Sequence, residues 1–118
     1  MHLILPMRRA APAALLLSLL GQTGASLAQD ADIAALVEAG KPVYETNCAS
    51  CHAGNGRGDI GPSLIGNGKL KDPAAVMRQI TQGGDEMPPF GGIISDDEIR
   101  AVATFVMNSW GNEYGPVP

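Results

Sequence analysis

Apolar and polar positions along the chain alternate with the period of helices, and no run of β-branched residues reads as a convincing strand. In ADIAALVEA, residues 31–39, Ile33, Leu36 and Val37 fall at helical spacing and Gly40 stops the run. Pro42 sits badly inside a helix, so a new turn is expected from Gly40 or Lys41 through Tyr44, with its continuity to the first segment left open. A second helix is predicted from Pro73 to Gln82: Asp72 offers an N-cap, Pro73 suits the first turn, Val76 and Ile80 share a face, and Gly83-Gly84 ends it. The third has the clearest start. Ser95 and Glu98 form a capping box and Ile94 with Ile99 a hydrophobic staple, while Ile99, Val102, Ala103, Val106 and Trp110 make one apolar stripe before Gly111.

Between these helices lie GNGRGDIGPSLIGNG, residues 54–68, and GGDEMPPFGG, residues 83–92, both too rich in glycine and proline for regular structure. Loops of this length in a small domain usually carry function. No internal repeat or low-complexity tract is present.

The first segment has a different pattern. Arg8-Arg9 precede an apolar run from Ala10 to Leu20, and small residues follow, ending Ser26-Leu27-Ala28. This is the order of a secretory signal peptide cleaved after Ala28, and the run is too short for a membrane span of about 20 residues. The expected organisation is therefore a leader, 1–28, and one domain, 29–118, in the periplasm. That domain carries six Lys and Arg against twelve Asp and Glu, a formal charge of −6, which argues against nucleic acid or an anionic membrane and for a partner with a basic docking patch. With two Phe, two Tyr and one Trp it can build only a thin core, so a bound group with a large apolar face would add much.

The candidate chemistry is NCASCH, residues 47–52, which holds both cysteines and the only histidine beyond residue 2. A thioredoxin-like CxxC should follow a strand, and none precedes Cys48. A structural zinc site needs four ligands, and Cys48, Cys51 and His52 have no fourth cysteine or histidine. Covalent haem attachment needs only what is present: two thiols to form thioethers with the vinyl groups, and an adjacent histidine to ligate iron. For the opposite face of the iron the domain offers Met77, Met87 and Met107. Met77 and Met107 fall in predicted helices, where methionine usually fills core, whereas Met87 stands in a loop stiffened by Pro88-Pro89.

On CASCH, GPSLIG and MPPF, residues 29–118 resemble a class I c-type cytochrome over nearly their whole length. The resemblance implies an all-α cytochrome c fold: three to four short helices and glycine- and proline-rich loops wrapped around one haem c, attached through Cys48 and Cys51 and ligated by His52 and Met87. It also implies that the Pro62 carbonyl accepts a hydrogen bond from His52, and that Gly40 and Tyr44 face Val102 and Phe105 of the last helix. The segment from Pro62 to Met87 is shorter than in mitochondrial members, and SDDEIRAVATFVMNSWGN, from residue 95, is similar to cytochrome domains accompanying periplasmic dehydrogenases. The function implied is one-electron transfer rather than catalysis, from a dehydrogenase toward a terminal oxidase. A subunit fixed to a dehydrogenase, or an open-site haem enzyme or gas sensor, are the alternatives.

Overall fold

The computed structural model describes residues 23–118, with side chains from Leu27 onward. Among the described residues the architecture is four helices, α1 (Thr23–Asn47), α2 (Ala49–His52), α3 (Pro73–Gln82) and α4 (Asp96–Met107), with a 3-10 turn at Gly68–Lys71. Among the described residues there is no strand, only isolated bridges pairing Gly84 with Met87 and Gly91 with Ile94. No helix described here is long and apolar enough to cross a membrane. The expected leader falls outside the described residues up to Gln22, and its expected cleavage point, Ser26 to Ala28, lies in the first turns of α1.

The helix ends follow local chemistry. Asp72 Oδ1 accepts from the amides of Ala74 and Ala75 at 3.0 and 3.2 Å, which starts α3 at Pro73 as predicted. Ser95 and Glu98 close the capping box, with Ser95 Oγ accepting from Glu98 N at 3.2 Å and Glu98 Oε2 from Ser95 N at 2.8 Å. One point left open is settled and one expectation changes. Pro42 lies inside one continuous α1, because the ring costs a single backbone bond while packing on both sides of it, through Gly40 and Tyr44, holds the helix. The last helix stops at Met107, so Trp110 is not part of its stripe. Asn108 turns the chain there, donating through Nδ2 to Thr104 O and Gly115 O, and Trp110 adopts φ 55°.

α4 is buried on more than one face, with Ile99 and every residue from Ala101 to Met107 inside. On one side it crosses α1, the most extensive helix contact of the fold. Gly40 makes the crossing possible: a Cβ there would collide with the Ala101 carbonyl oxygen and stand 2.6 Å from its carbon and 2.8 Å from Phe105 Cβ. Phe105 thus faces Gly40 as expected, and the nearest partner beside it is the backbone of Ala101; Val102 is buried in the same core. Tyr44, wholly buried one turn on, has its ring 5.2 Å from that of Phe105.

A second side of α4 is covered by the C-terminal tail, which runs back along it. Tyr114 N donates to Met107 O at 3.1 Å, Gly115 N to Asn108 Oδ1 at 3.0 Å, and Arg100 Nε to Val117 O at 3.2 Å, and Val117 enters the core. Gly40→Val should therefore lower stability by about 3 kcal/mol, because overpacking against backbone cannot relax by rotamer change and outweighs the intrinsic gain of leaving glycine in a helix. Urea unfolding of the holoprotein measures it; an unchanged midpoint would mean that the helices do not cross this closely.

Candidate functional site

The attachment segment is placed by a break in the helix. Asn47 Nδ2 donates to Val43 O at 2.9 Å, Cys48 caps α2 through its backbone, and His52 N donates to Cys48 O at 3.0 Å, so one helical turn carries Cys48, Cys51 and His52 together. Both thiols are free of a disulfide and half-buried. Burial, with a smaller contribution from Cys51, pushes the Cys48 thiol up to about 11, so at neutral pH it is a neutral sulfhydryl.

His52 is buried, and its orientation is set by the loop that follows. Gly58 N donates to His52 O at 2.9 Å, while Gly61 N and Asp59 N donate to Cys51 O at 2.8 and 3.2 Å, folding the loop back under the attachment turn. This brings the Pro62 carbonyl 2.9 Å from His52 Nδ1. A carbonyl oxygen can only accept, so Nδ1 carries the proton and the lone pair of Nε2 is left free for a metal. Gly61 packs flat on the ring, where a Cβ would stand 2.9 Å from Cε1 and 3.0 Å from Nδ1.

Met87 stands in a loop closed by reciprocal bonds, Gly84 N to Met87 O at 3.0 Å and Met87 N to Gly84 O at 2.8 Å. Phe90 N and Gly91 N then donate to Ile80 O and Thr81 O, tying the loop to the end of α3. Gly83, at φ 68°, must be glycine, since a Cβ would lie 2.5 Å from Met87 O and 2.7 Å from Pro89 N. The Met87 thioether is half-buried and accepts from Gln79 Nε2 at 3.8 Å, which leaves a lone pair on sulfur. Of the other two methionines, Met107 is wholly buried in the core, and Met77 lines an apolar cavity of about 260 Å³ with Pro73, Ala74, Val117 and Pro118.

Behind the attachment turn lies an aromatic cluster. Tyr44 and Phe105 meet Trp110 with ring centroids at 5.1 and 5.3 Å, and Tyr44 Oη donates to Ala53 O at 2.6 Å. Burial, with a smaller contribution from Cys48, pushes the Tyr44 phenol up to about 12, so it stays a donor throughout the physiological range. Two participants escaped the sequence reading: Gln79, which looks like an ordinary polar helix residue, and Asn112, which looks like a turn residue after Gly111. Neither carries a local signal, because their partners lie six or more residues away along the chain.

These residues fit a covalently held haem better than a metal ion alone. Among the described residues no group of three or more His, Cys, Asp or Glu could hold a metal, whereas two unpaired thiols and a tautomer-fixed imidazole on one turn match the attachment chemistry.

Comparison with known proteins agrees. Residues 35–106 match the family model described as cytochrome c oxidase, cbb3-type, subunit III. The chain is 34% identical to cytochrome c6 of Gracilaria tenuistipitata var. liui over 85 residues, covering 67% of this chain and 78% of that one. It is 40% identical to cytochrome c6 of Leptolyngbya boryana over 77 residues, covering 59% of this chain and 88% of the relative. Among solved structures, cytochrome c6 of the diatom Phaeodactylum tricornutum superimposes with TM-score 0.55 at 36% identity, covering 62% of this chain and 92% of its own. Cytochrome cL of Methylophaga aminisulfidivorans, at 22% identity and TM-score 0.60 over 68% of this chain and 59% of its own, shares the fold.

Proposed function

This chain belongs to the class I c-type cytochromes, small electron-transfer proteins carrying one haem c, here joined through Cys48 and Cys51, and from that premise we propose that His52 and Met87 would hold its iron and that it is a periplasmic carrier between a dehydrogenase and a terminal oxidase. The observation that carries the ligand assignment is the His52 Nδ1 to Pro62 O bond, which leaves Nε2 unprotonated and holds the ring in one orientation.

Haem supplies the one-electron couple between ferrous and ferric iron. The chain's part is to tune and enclose it. The Pro62 carbonyl raises the basicity of His52, the Met87 thioether is a weak donor that favours the ferrous state, and the loop bonded to α3 holds that sulfur in place. With His52 and Met87 both holding the iron, no position would remain for oxygen or peroxide, so the protein would move electrons and not catalyse bond changes. Export places the domain where haem is attached, and the leader through Ala28 would be removed, leaving α1 to begin at Gln29.

A domain of formal charge −6 should meet a donor or acceptor with a basic docking face, through a small and short-lived contact. Stopped-flow measurement of electron transfer to such a partner tests this: between low and physiological ionic strength the second-order rate should fall roughly tenfold or more. A rate indifferent to salt would overturn the steered carrier and favour a subunit fixed to its dehydrogenase. Recovery of the chain from periplasm with its amino terminus at Gln29 tests the location; retention of Arg8-Arg9 in the mature protein would refute it.

A further inference from the structure

Asn112 is one of the few buried polar side chains of the molecule, with 3% of its surface exposed, and electron transfer as described above does not use it. Its amide is fully bonded to backbone from two distant parts of the chain. Nδ2 donates to Leu64 O at 2.9 Å and to Val106 O at 2.9 Å, and Oδ1 accepts from Gly66 N at 2.8 Å. One bond is to the last helix; the other two grip both sides of Ile65, in the loop that presents Pro62. No other residue type of this size supplies two donors and an acceptor in one plane, and the partners are carbonyls and an amide that would otherwise be stranded out of water.

Two residues away the same corner makes a second contact with the same loop. The Trp110 ring covers Gly56, where a Cβ would lie 2.5 Å from Cε3 and 2.6 Å from Cδ2. Gly56 O in turn accepts from Leu64 N at 2.8 Å, so the segment from Gly56 to Leu64 is pinched shut. Inside it, Gly58, Asp59 and Gly61 bond to the backbone of Cys51 and His52, and Pro62 bonds to the His52 ring. The loop is thus held from within by the attachment turn and from outside by Trp110 and Asn112.

We propose that Asn112 is a positioning residue for the redox site: by fixing Leu64 and Gly66 against the end of α4 it sets where the Pro62 carbonyl meets His52 Nδ1, and so tunes the iron through a ligand it never touches. The inference rests on ligation by His52. Its physical content is that a loop rich in glycine cannot hold one carbonyl at hydrogen-bond distance unaided, since each glycine adds backbone freedom that must be removed by bonds elsewhere. A slackened loop lengthens the Nδ1–H to carbonyl bond, the imidazole becomes a poorer donor to ferric iron, and the potential rises.

The test uses the holoprotein and four forms: wild type, Asn112→Ala, Asn112→Asp and Thr104→Val. Thr104 Oγ1 donates to Arg100 O within α4 and accepts from Val117 N of the tail, bonds that do not involve the loop, so its loss serves as a destabilised control. In Asn112→Ala the Gly66 amide should lose protection from hydrogen exchange, the His52 Nδ1 proton should exchange faster by roughly tenfold or more, the scale of outer-shell losses at ligating histidines, and the reduction potential should rise. Asn112→Asp keeps the size and the acceptor for Gly66 but loses both donations; should Asn112→Ala fail to fold, it still speeds Nδ1 exchange while Gly66 stays protected. The Thr104→Val protein should be less stable with Nδ1 exchange and potential unchanged. Wild-type values in both Asn112 variants, or an equal shift in Thr104→Val, would overturn the inference alone. If ferric wild type shows no hyperfine-shifted His52 ring protons, ligation by His52 is overturned first and the inference goes with it.

Discussion

Met87→Ala should abolish the weak red absorption of an iron–sulfur bond in the ferric protein, let carbon monoxide bind the ferrous form, and lower the reduction potential on the order of 0.1 V or more, within the roughly 0.8 V that axial ligands span. The ground for expecting so large an effect is that a thioether favours ferrous iron. Met107 is fully buried in the core and Met77 lines a cavity between α3 and the tail, so Met77→Leu and Met107→Leu should leave all three properties as they are. Met87→His should keep two axial ligands yet lower the potential, since imidazole donates more strongly to ferric iron than a thioether does. Visible spectra, carbon monoxide titration and redox titration of the wild type and the four variants separate these cases. A wild type that binds carbon monoxide readily, or loss of the red band in Met77→Leu and not in Met87→Ala, would remove Met87 from the site and with it the closed-iron argument for a carrier.

The combined variant Cys48→Ser, Cys51→Ser should leave any haem extractable by acid and reduce the accumulated folded protein roughly tenfold or more. About 1.4 kcal/mol gives that factor, and a domain of this size has only about 5–15 kcal/mol of stability in total. The core explains the sensitivity. Apart from α4 and the aromatic cluster of Tyr44, Phe105 and Trp110, it rests on Val76 and Ile80 of α3 and a few residues from the connecting segments and the tail, such as Leu64, Leu70 and Val117, and the apolar faces of haem are a large share of what can be buried. Normal accumulation and unchanged unfolding without haem, followed by circular dichroism and acid extraction, would show that the chain folds independently of its cofactor.

Local chemistry was legible from the chain. The start of α3 at Pro73 and of α4 at Ser95 follows from side chains that bond amides two or three residues away, so the information needed sits inside one turn. The attachment motif is equally local, because Cys48, Cys51 and His52 are brought together by a single turn of helix whatever the rest of the chain does. Gly40, Tyr44 and Pro62 were legible only through the resemblance, since their partners Phe105 and His52 are remote in sequence and no periodicity points to them.

What only the tertiary structure decided was continuity and termination. Propensity alone would break α1 at Pro42, but the crossing at Gly40 and the packing of Tyr44 hold one helix through it. Apolar spacing alone would carry α4 to Trp110, but Asn108 bonds to Thr104 and Gly115 and turns the chain three residues earlier. The tail against α4, the bond from Gln79 to Met87 and the three bonds of Asn112 have no signature in the sequence, because a polar side chain declares its partner only when folding brings one within hydrogen-bond distance. The sequence by itself determined which atoms can hold haem and where two of the helices begin; the packing of distant segments decided how rigidly those atoms are held.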